Sequence, residues 1–343
     1  MTARKSGTGG AGWKAAALGA ALLVSPAALQ ADREVEIQPD PDFFEPGRDG
    51  GREQERPPPQ ATPEQARETR RLGLLWLAQR QNEDGGWGQG EESRNMGSGM
   101  DQVRDVSNVA DTSMTAITLL RSGNTPTQGE HAERIRRAAF YVCGKIEASD
   151  EESLFVTDMR GTRLQSKIGT YVDTFLAANL LAEVRGDMPD AEGNARVDAA
   201  LQKVMGKIQR NQREDGTWGQ EGWAPALGQR LAGKAINAAV LRGAEVDEAV
   251  RERAETYARG QFDRESGGFA EEGAAGVALY AAASSVGTMQ DSDDANRRRQ
   301  QEAQRRVEEA KDEEERAAAQ ADLRDVQDRL DANQQDLEAA REA

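Results

Sequence analysis

An octapeptide that occurs twice constrains this chain more than any other feature. It reads QNEDGGWG from Gln81 and QREDGTWG from Gln212, with six of eight positions identical. Asp followed by Gly favours a tight turn with a positive φ at the glycine, and the tryptophan brings a large ring to bury. Since the set holds no nucleophile and no acid–base pair, we predict a structural role. The predicted repeat-motif residues are Gln81, Asp84, Gly85, Trp87, Gln212, Asp215, Gly216 and Trp218.

Helical periodicity fills the sequence around both copies of the octapeptide. Leu72, Leu75 and Trp76 recur at helical spacing after TPEQ, which is typical of a capping box with Thr62 as N-cap and proline at the first helical position. No convincing alternating strand pattern occurs, so we predict an all-α fold. The predicted helices span residues 63–82, 111–122, 131–148, 171–185, 195–212, 227–242, 247–260 and 273–286.

Similar helices recur about every sixty residues. DTSMTAITLL begins at Asp111, DTFLAANLL at Asp173 and GKAINAAVL at Gly233, each after a glycine-rich connector that follows another helix. Equal spacing of a helix–turn–helix unit indicates a repeat architecture whose units bury their apolar faces on each other. We therefore predict an array of about four helix hairpins.

Composition divides the 343 residues into four predicted regions. They are a signal peptide at 1–31, a disordered Pro/Gly/charged linker at 32–61, the helical repeat domain at 62–288 and a charged helical tail at 289–343. A basic start followed by the short apolar run at 15–24 is typical of an export signal. We expect an exported protein, periplasmic or secreted, which would be membrane-anchored if the signal is not cleaved.

The charge and the tail limit the kinds of partner. A net charge of −16 with no basic stripe disfavours nucleic acid. In the tail, Leu323, Val326, Leu330 and Leu337 follow the a/d spacing of a coiled coil. Two interpretations stay open at this point: a coiled coil that makes homo-oligomers through residues 320–343, or a single solvated helix.

Both octapeptides resemble the QW motif of the prenyltransferase and squalene/hopene cyclase superfamily. The similar stretches are WLAQRQNEDGGW from Trp76 and IQRNQREDGTW from Ile208, and GQFDRESGGF from Gly260 looks like a degenerate copy. The resemblance implies an α/α-toroid of inner and outer helices, with the motif tying the outer helices together. Full toroids of this family contain more helix pairs than the predicted array, so we expect an open or incomplete ring followed by a long C-terminal helix.

The motifs that carry catalysis in this family are missing. Family cyclases protonate their substrate from the middle acid of a D-x-D-D-T segment, and the best match, NVADT, has Ala110 at that position. A second match, DSDDA from Asp291, lies at the start of the polar tail, where we expect no cavity. CGKI from Cys143 lacks the Glu and Gln of the thioester found in complement-like toroid proteins.

A metal site is also disfavoured. His131 and Cys143 are the only residues of their types, and one helix carrying both would separate them by ~18 Å, too far to share a zinc ion. We expect Cys143 to be buried and His131 to be exposed. The sequence therefore predicts no catalytic residue, no metal ligand and no cofactor.

Four residues are candidates for binding rather than for fastening helices together. Asp111 and Asp173 begin equivalent predicted helices, which the resemblance places around the concave side. An aspartate at a helix start also caps the helix and interacts with its dipole, and this purely structural role stays open. Tyr171 precedes Asp173 by two residues. Trp223 lies in the loop QEGWAP, where an exposed ring could anchor a partner.

Our leading hypothesis is an exported, non-catalytic α/α-repeat protein that acts as a binding or scaffold module. Its partner would be a protein, or else a lipid or glycan ligand, bound at the concave surface or the helical tail. The alternative is an α/α-toroid enzyme that acts on a terpenoid, prenyl or polysaccharide substrate with Asp111 and Asp173 as acids. That alternative requires both carboxylates in one cleft and a raised pKa on at least one of them.

Overall fold

Most of the residues that the structure describes are in helices, as the periodicity of the sequence predicts. The structure is a computed structural model, and it describes residues 61–90, 103–219, 221–270 and 274–342. These ranges contain ten helices and one two-stranded sheet, which confirms the all-α prediction. The helices are α1 Pro63–Gln79, α2 Val109–Arg121, α3 Ala132–Ala148, α4 Arg163–Lys167, α5 Val172–Val184, α6 Ala191–Arg210, α7 Pro225–Leu241, α8 Glu248–Gly260, α9 Ala278–Glu309 and α10 Glu313–Glu342.

Two structural units divide within the first octapeptide. One unit ends at Gln81, and the other begins at Asn82 and contains every described residue after it. The predicted signal peptide, and the predicted linker except for residue 61, lie outside the described residues. No helix within the described ranges is long and apolar enough to cross a membrane.

Helix α1, in the first unit, begins where its capping sequence predicts. The Thr62 side chain accepts a hydrogen bond from the backbone N–H of Gln65, the Gln65 side chain accepts one from the backbone of Thr62, and proline follows the cap. The helix ends at Gln79, three residues before the predicted end at 82. Its apolar stripe is exposed within this unit, and Arg80 stacks on the ring of Trp76 at 3.9 Å.

The second unit is built on a row of four helices. Helix α2 packs on α5, α5 on α7 and α7 on α9, while α3, α6 and α8 pack on this row from beside it. Every residue from Val172 to Ala182 is buried. Helix α5 therefore has no solvent-facing stripe over this span, which agrees with its mostly apolar composition. It is the centre of the core.

Both octapeptides form the same turn. Gly85 and Gly216 have φ of 90° and 83°, and in each copy the residue after Gln bonds the carbonyl of the residue before Trp, at 2.9 and 2.8 Å. A Cβ on Gly85 would lie 2.7 Å from the Arg137 carbonyl oxygen of α3, and one on Gly216 would meet the Arg253 carbonyl of α8 still more closely. Each glycine thus allows the turn to press against the backbone of a following helix.

The second octapeptide also binds α6 to α8 through its glutamine. The Gln212 amide nitrogen donates to the Val250 carbonyl at 3.0 Å, and its oxygen accepts from the Arg253 guanidinium at 3.0 Å. The buried Trp218 donates its indole N–H to the Ile208 carbonyl and packs edge-on against Phe175. This copy therefore connects α6, α8 and the core helix α5.

The degenerate copy of the motif folds as a short β-hairpin, although the sequence shows no alternating strand pattern. Strands β1 Phe262–Asp263 and β2 Gly268–Phe269 pair antiparallel, with Phe262 opposite Phe269. Their ring centres lie 5.0 Å apart in a tilted arrangement. The strands are only two residues long, too short for a period of two to be visible.

Helix α9 runs through the predicted boundary between residues 288 and 289. The prediction ended the helix at 286 and began the charged tail at 289. Gly287 is instead the point where the buried Arg230 guanidinium passes close to α9, which leaves no room for a Cβ. Asp291 of DSDDA, expected in a solvated tail, is buried; it pairs with Arg230 and lies 3.6 Å from the Lys234 ammonium.

The predicted tail forms most of an antiparallel helical hairpin, since it contains α10 and the larger part of α9. Helix α10 folds back on α9, and Val326, Leu330, Asn333 and Leu337 are buried there. The a/d stripe is therefore an apolar seam whose partner lies in the same chain. A single solvated helix, one of the two predicted forms of this segment, is not what the structure contains.

The positive-φ turn predicts the effect of Gly216→Ala. Alanine would add backbone strain and a clash with the Arg253 carbonyl, so we expect the free energy of unfolding to fall by about 2–4 kcal/mol. Gly206→Ala is the control, since nothing lies within 4 Å of a Cβ there, inside α6. The control should gain up to about 1 kcal/mol. Urea denaturation measures both, and equal stabilities would contradict the constraint.

Candidate functional site

A short helix between α3 and α5 organises the candidate residues. Helix α4 has a full capping box: the Thr162 hydroxyl accepts from the Gln165 backbone N–H, and the Gln165 side chain accepts from the Thr162 backbone. Both side chains are buried. The sequence prediction missed this helix because five residues are too few to show a period. Its signal was TRLQ, which repeats the pattern of TPEQ before α1.

Asp173 joins three elements at this point. One carboxylate oxygen accepts from the Gln165 amide of α4 at 2.7 Å, and the other accepts from the Ala110 backbone N–H at 3.1 Å. The residue is 3% exposed, and this burial raises the pKa of its carboxyl. Asp173 therefore caps the N-terminus of α2 from the start of α5.

Asp111 lies at the same helix N-terminus. Asn108 is the N-cap of α2: its side-chain oxygen accepts from the Asp111 N–H at 2.8 Å, and its amide donates to the Asp111 carboxylate at 2.6 Å. Burial raises the pKa of Asp111 to about 6, and the charge of Asp173 raises it further against the lowering effects of Asn108 and Arg163. The two carboxylates thus act on each other at one helix end.

The first octapeptide fixes this helix end from the other side. The Trp87 backbone N–H donates to the Thr112 hydroxyl at 2.9 Å, and the Trp87 carbonyl accepts from the Asn108 N–H at 3.0 Å. The Asp84 carboxylate accepts from the Gly86 N–H and from the Ser107 hydroxyl, at 2.9 and 2.7 Å. The turn and α2 are therefore positioned as one piece.

The loop before α7 runs along the loop before α5. Thr170 and Glu221 exchange hydrogen bonds, and the Trp223 N–H donates to the Ser166 carbonyl at 3.0 Å. A Cβ on Gly222 would lie 3.0 Å from the backbone of Gly169, so any larger residue would push the two loops slightly apart. The pairing brings the segment that contains Tyr171 beside the segment that contains Trp223.

Four aromatic rings lie at these paired loops, and we call them the aromatic rim: Tyr171 and Trp223 on the loops, Phe155 in the connector between α3 and α4, and Tyr280 in the first turn of α9. The Phe155 and Tyr171 rings are 4.9 Å apart, and the Trp223 and Tyr280 rings meet edge to face at 5.9 Å. The rim is accessible at Trp223, which is 44% exposed.

Two cations lie on the rings of the rim. The Arg160 guanidinium is 3.5 Å from the Phe155 ring centre, and the Lys167 ammonium is 5.1 Å from that of Trp223. Arg163 adds a third positive charge to the same α4 segment. The rim therefore combines aromatic rings with cations, on segments that also carry the exposed acids Asp158 and Glu221.

The structure thus brings the four predicted binding residues to one end of the helix row. Asp111 and Asp173 meet at the α2 N-terminus, and Tyr171 and Trp223 lie on the paired loops. Sequence reasoning missed Phe155, Arg160 and Lys167, because only the folding of the α4 segment places them beside those rings.

The single histidine and cysteine lie apart from this site. Cys143 is fully buried in α3, as expected, and burial raises the pKa of its thiol to about 12. His131 was expected to be exposed, but it is buried, with only 5% of its surface accessible. It precedes α3, and its backbone N–H donates to the Asn124 side chain in the connector. Within the described ranges, no three His, Cys, Asp or Glu residues come together as a metal site would require.

Comparison with known proteins adds no relative. No protein-family model matches the chain, and neither a curated protein nor a solved structure is significantly similar to it. Conclusions about its function therefore depend on the geometry of the aromatic rim and of the aspartate pair.

The raised pKa of Asp111 predicts a pH dependence of stability. The ordinary carboxyl pKa is 3.8, so between about pH 4 and 6 the folded state keeps a proton that the unfolded chain has lost. Stability therefore falls as the pH rises through this range, and the whole loss is present above pH 6. Asp111→Asn should remove that loss. Between pH 4.5 and pH 7.5, the free energy of unfolding of the variant should rise by about 1–3 kcal/mol relative to that of the unsubstituted protein.

Asp263→Asn is the control for this measurement. The Ser266 hydroxyl lowers the pKa of the exposed Asp263 carboxyl, so its contribution changes only below about pH 4. Denaturation curves at pH 4.5 and 7.5 should differ by the same amount in this control as in the unsubstituted protein. The same result for Asp111→Asn would show that its carboxyl is not held protonated by burial.

Proposed function

We propose that this chain is an exported, non-catalytic binding module that holds an acidic segment of another protein on its aromatic rim. The observation that carries the proposal is the exposed Trp223 ring beside Lys167, on loops that backbone hydrogen bonds hold in place. Exposed tryptophans and arginines on rigid supports are the side chains that most often dominate binding energy at interfaces. An acidic partner fits because the local cations oppose the negative charge of the rest of the protein.

A divergent α/α-toroid, open or incomplete, is the architecture that we propose for this module. The row of α2, α5, α7 and α9, with α3, α6 and α8 beside it, is what inner and outer helices of such an array would give. Two octapeptides with the same turn, each pressed on the backbone of a following helix, support a repeated unit. The candidate rim would then lie at the end of the inner helices where their N-termini meet.

Helix capping accounts for the two aspartates without catalysis. Both Asp173 oxygens accept hydrogen bonds, and Asp111 belongs to the cap that Asn108 makes. Ala110, which stands where the cyclases have their proton donor, is fully buried and has no acidic proton. Ala110 therefore has a structural role, whereas the family resemblance would place a proton donor at this position.

Binding of poly-glutamate tests the rim directly. We expect the peptide to bind more weakly as salt rises and to change the Trp223 fluorescence. Trp223→Ala should weaken binding about 30-fold, the loss expected for a hot-spot residue. Leu241→Ala is the matched control, because Leu241 is an exposed apolar residue at the C-terminal end of α7, whereas Trp223 lies in the loop before that helix. Likewise, Lys167→Glu should weaken binding and Arg305→Glu, in α9, should not.

Two further probes decide the chemical class of the partner. Polygalacturonate stands for an acidic glycan, and phosphatidylglycerol vesicles stand for a lipid surface. Preference for either over poly-glutamate would overturn the assignment to a protein partner. Equal poly-glutamate binding by the Trp223→Ala and Leu241→Ala variants would overturn the rim itself.

A second candidate function is an acid-dependent enzyme. It is favoured by one observation, the raised pKa of Asp111 beside Asp173, because perturbed carboxyl pairs are common in active sites. On our leading proposal, the full chain should release no product from an isoprenoid diphosphate, a polyene or a polysaccharide, as measured by mass spectrometry. Turnover that is lost in Asp111→Asn and retained in Asp263→Asn would establish the enzyme instead.

A further inference from the structure

Helix α10 is joined to the rest of the molecule by a turn of three residues that lacks any helix breaker. Ala310, Lys311 and Asp312 separate α9 from α10, and neither glycine nor proline occurs from Thr288 to Ala343. Ala310 leaves the helical region with φ −59° and ψ 126°, so the left-handed glycine that ends many helices is absent. Ala310 and Lys311 have high helix propensity, and Asp312 is the one residue of the turn that favours a helix start over a continuous helix.

The surface that receives α10 is present on every copy of the chain. The Arg329 guanidinium pairs with Glu255 of α8 at 2.7 Å, and Asp336 pairs with Arg259 at 2.6 Å. The Asn333 amide donates to the Met289 carbonyl of α9 at 2.9 Å, inside the apolar seam. Because these partners lie on α8 and α9, a second copy offers the same charges and the same seam to an incoming α10.

The contacts between α9 and α10 could also form between two copies of the chain. Arg306 pairs with Asp322, Gln300 with Gln327, and Asn333 with the Met289 carbonyl, so the contacts follow one antiparallel register from the turn inward. If α9 and α10 straighten into one helix, two copies can cross antiparallel and make the same contacts between chains. The contacts are conserved, and the only conformational change is at residues 310–312.

We propose that α10 exchanges between two copies of this chain, giving a dimer in which each α10 packs on α8 and α9 of the other copy. The partner is therefore a second copy, and the hinge is Ala310–Asp312. The proposal goes beyond the aromatic rim, which takes no part in it. The dimer fraction rises with protein concentration, since the closed hairpin competes with the exchange within one chain.

A disulfide between two differently tagged chains tests the exchange. Both chains carry Cys143→Ala, one carries Gln300→Cys and the other Gln327→Cys, and they are unfolded together, refolded and oxidised. We expect a covalent heterodimer, because these positions meet across chains only when α10 is exchanged. The matched control replaces Gln300→Cys by Arg305→Cys, an exposed position of the same helix. Cross-linking no greater than in the control would overturn the proposal.

Two hinge substitutions shift the dimer in opposite directions. Asp312 caps α10, its side chain accepting from the Glu315 N–H at 2.8 Å. Asp312→Ala removes the cap that favours the turn, so the dimerisation constant should rise about 30-fold for the two hinges of a dimer. Ala310→Gly supplies the residue that favours a helix end and should lower it. Light scattering over a concentration series measures both, and identical constants for the two variants would overturn the hinge.

Discussion

The buried carboxylate of Asp173 is the interaction on which the candidate site depends. It accepts hydrogen bonds from the backbone of α2 and from the side chain of α4 while belonging to α5. A charge in this position would be costly to bury alone, and two donors together with a raised pKa reduce the cost. Because α4 is held here, the loops that carry Tyr171 and Trp223 are held as well. The cap that Asp173 makes on α2 and the loops of the aromatic rim are therefore held in place by the same contacts.

The repeated turn is the second constraint, and it acts by excluding atoms rather than by adding contacts. At Gly85 and Gly216 the backbone of a neighbouring helix occupies the space that a side chain would need. A distinctive sequence can thus mark a place where helices must come close, with no chemistry performed there. The candidate binding residues Asp111 and Asp173 lie outside the turns, at a helix end that the first turn positions.

Much of this could be read from the sequence where a local pattern determines the structure. TPEQ places the start of α1, the two Asp–Gly pairs predict turns, and the spacing of apolar residues predicts most of the helices. The meeting of Asp111 with Asp173 could not be read in the same way, because it depends on how two helices pack. The role of Gly287 could not be read for a related reason: this glycine admits the Arg230 side chain from another helix, which no neighbouring residue in the sequence reveals.

Helix α5 has a consequence for how the chain must fold. It is buried on all sides and mostly apolar, and the helices that cover it come from both earlier and later parts of the sequence. Until α7 has been synthesised, one flank of α5 has no native partner and remains in water. The newly made chain therefore exposes a strongly apolar segment near its middle. Any delay before α7 is synthesised leaves that segment prone to aggregation. Early protection of α5 is a requirement of this architecture.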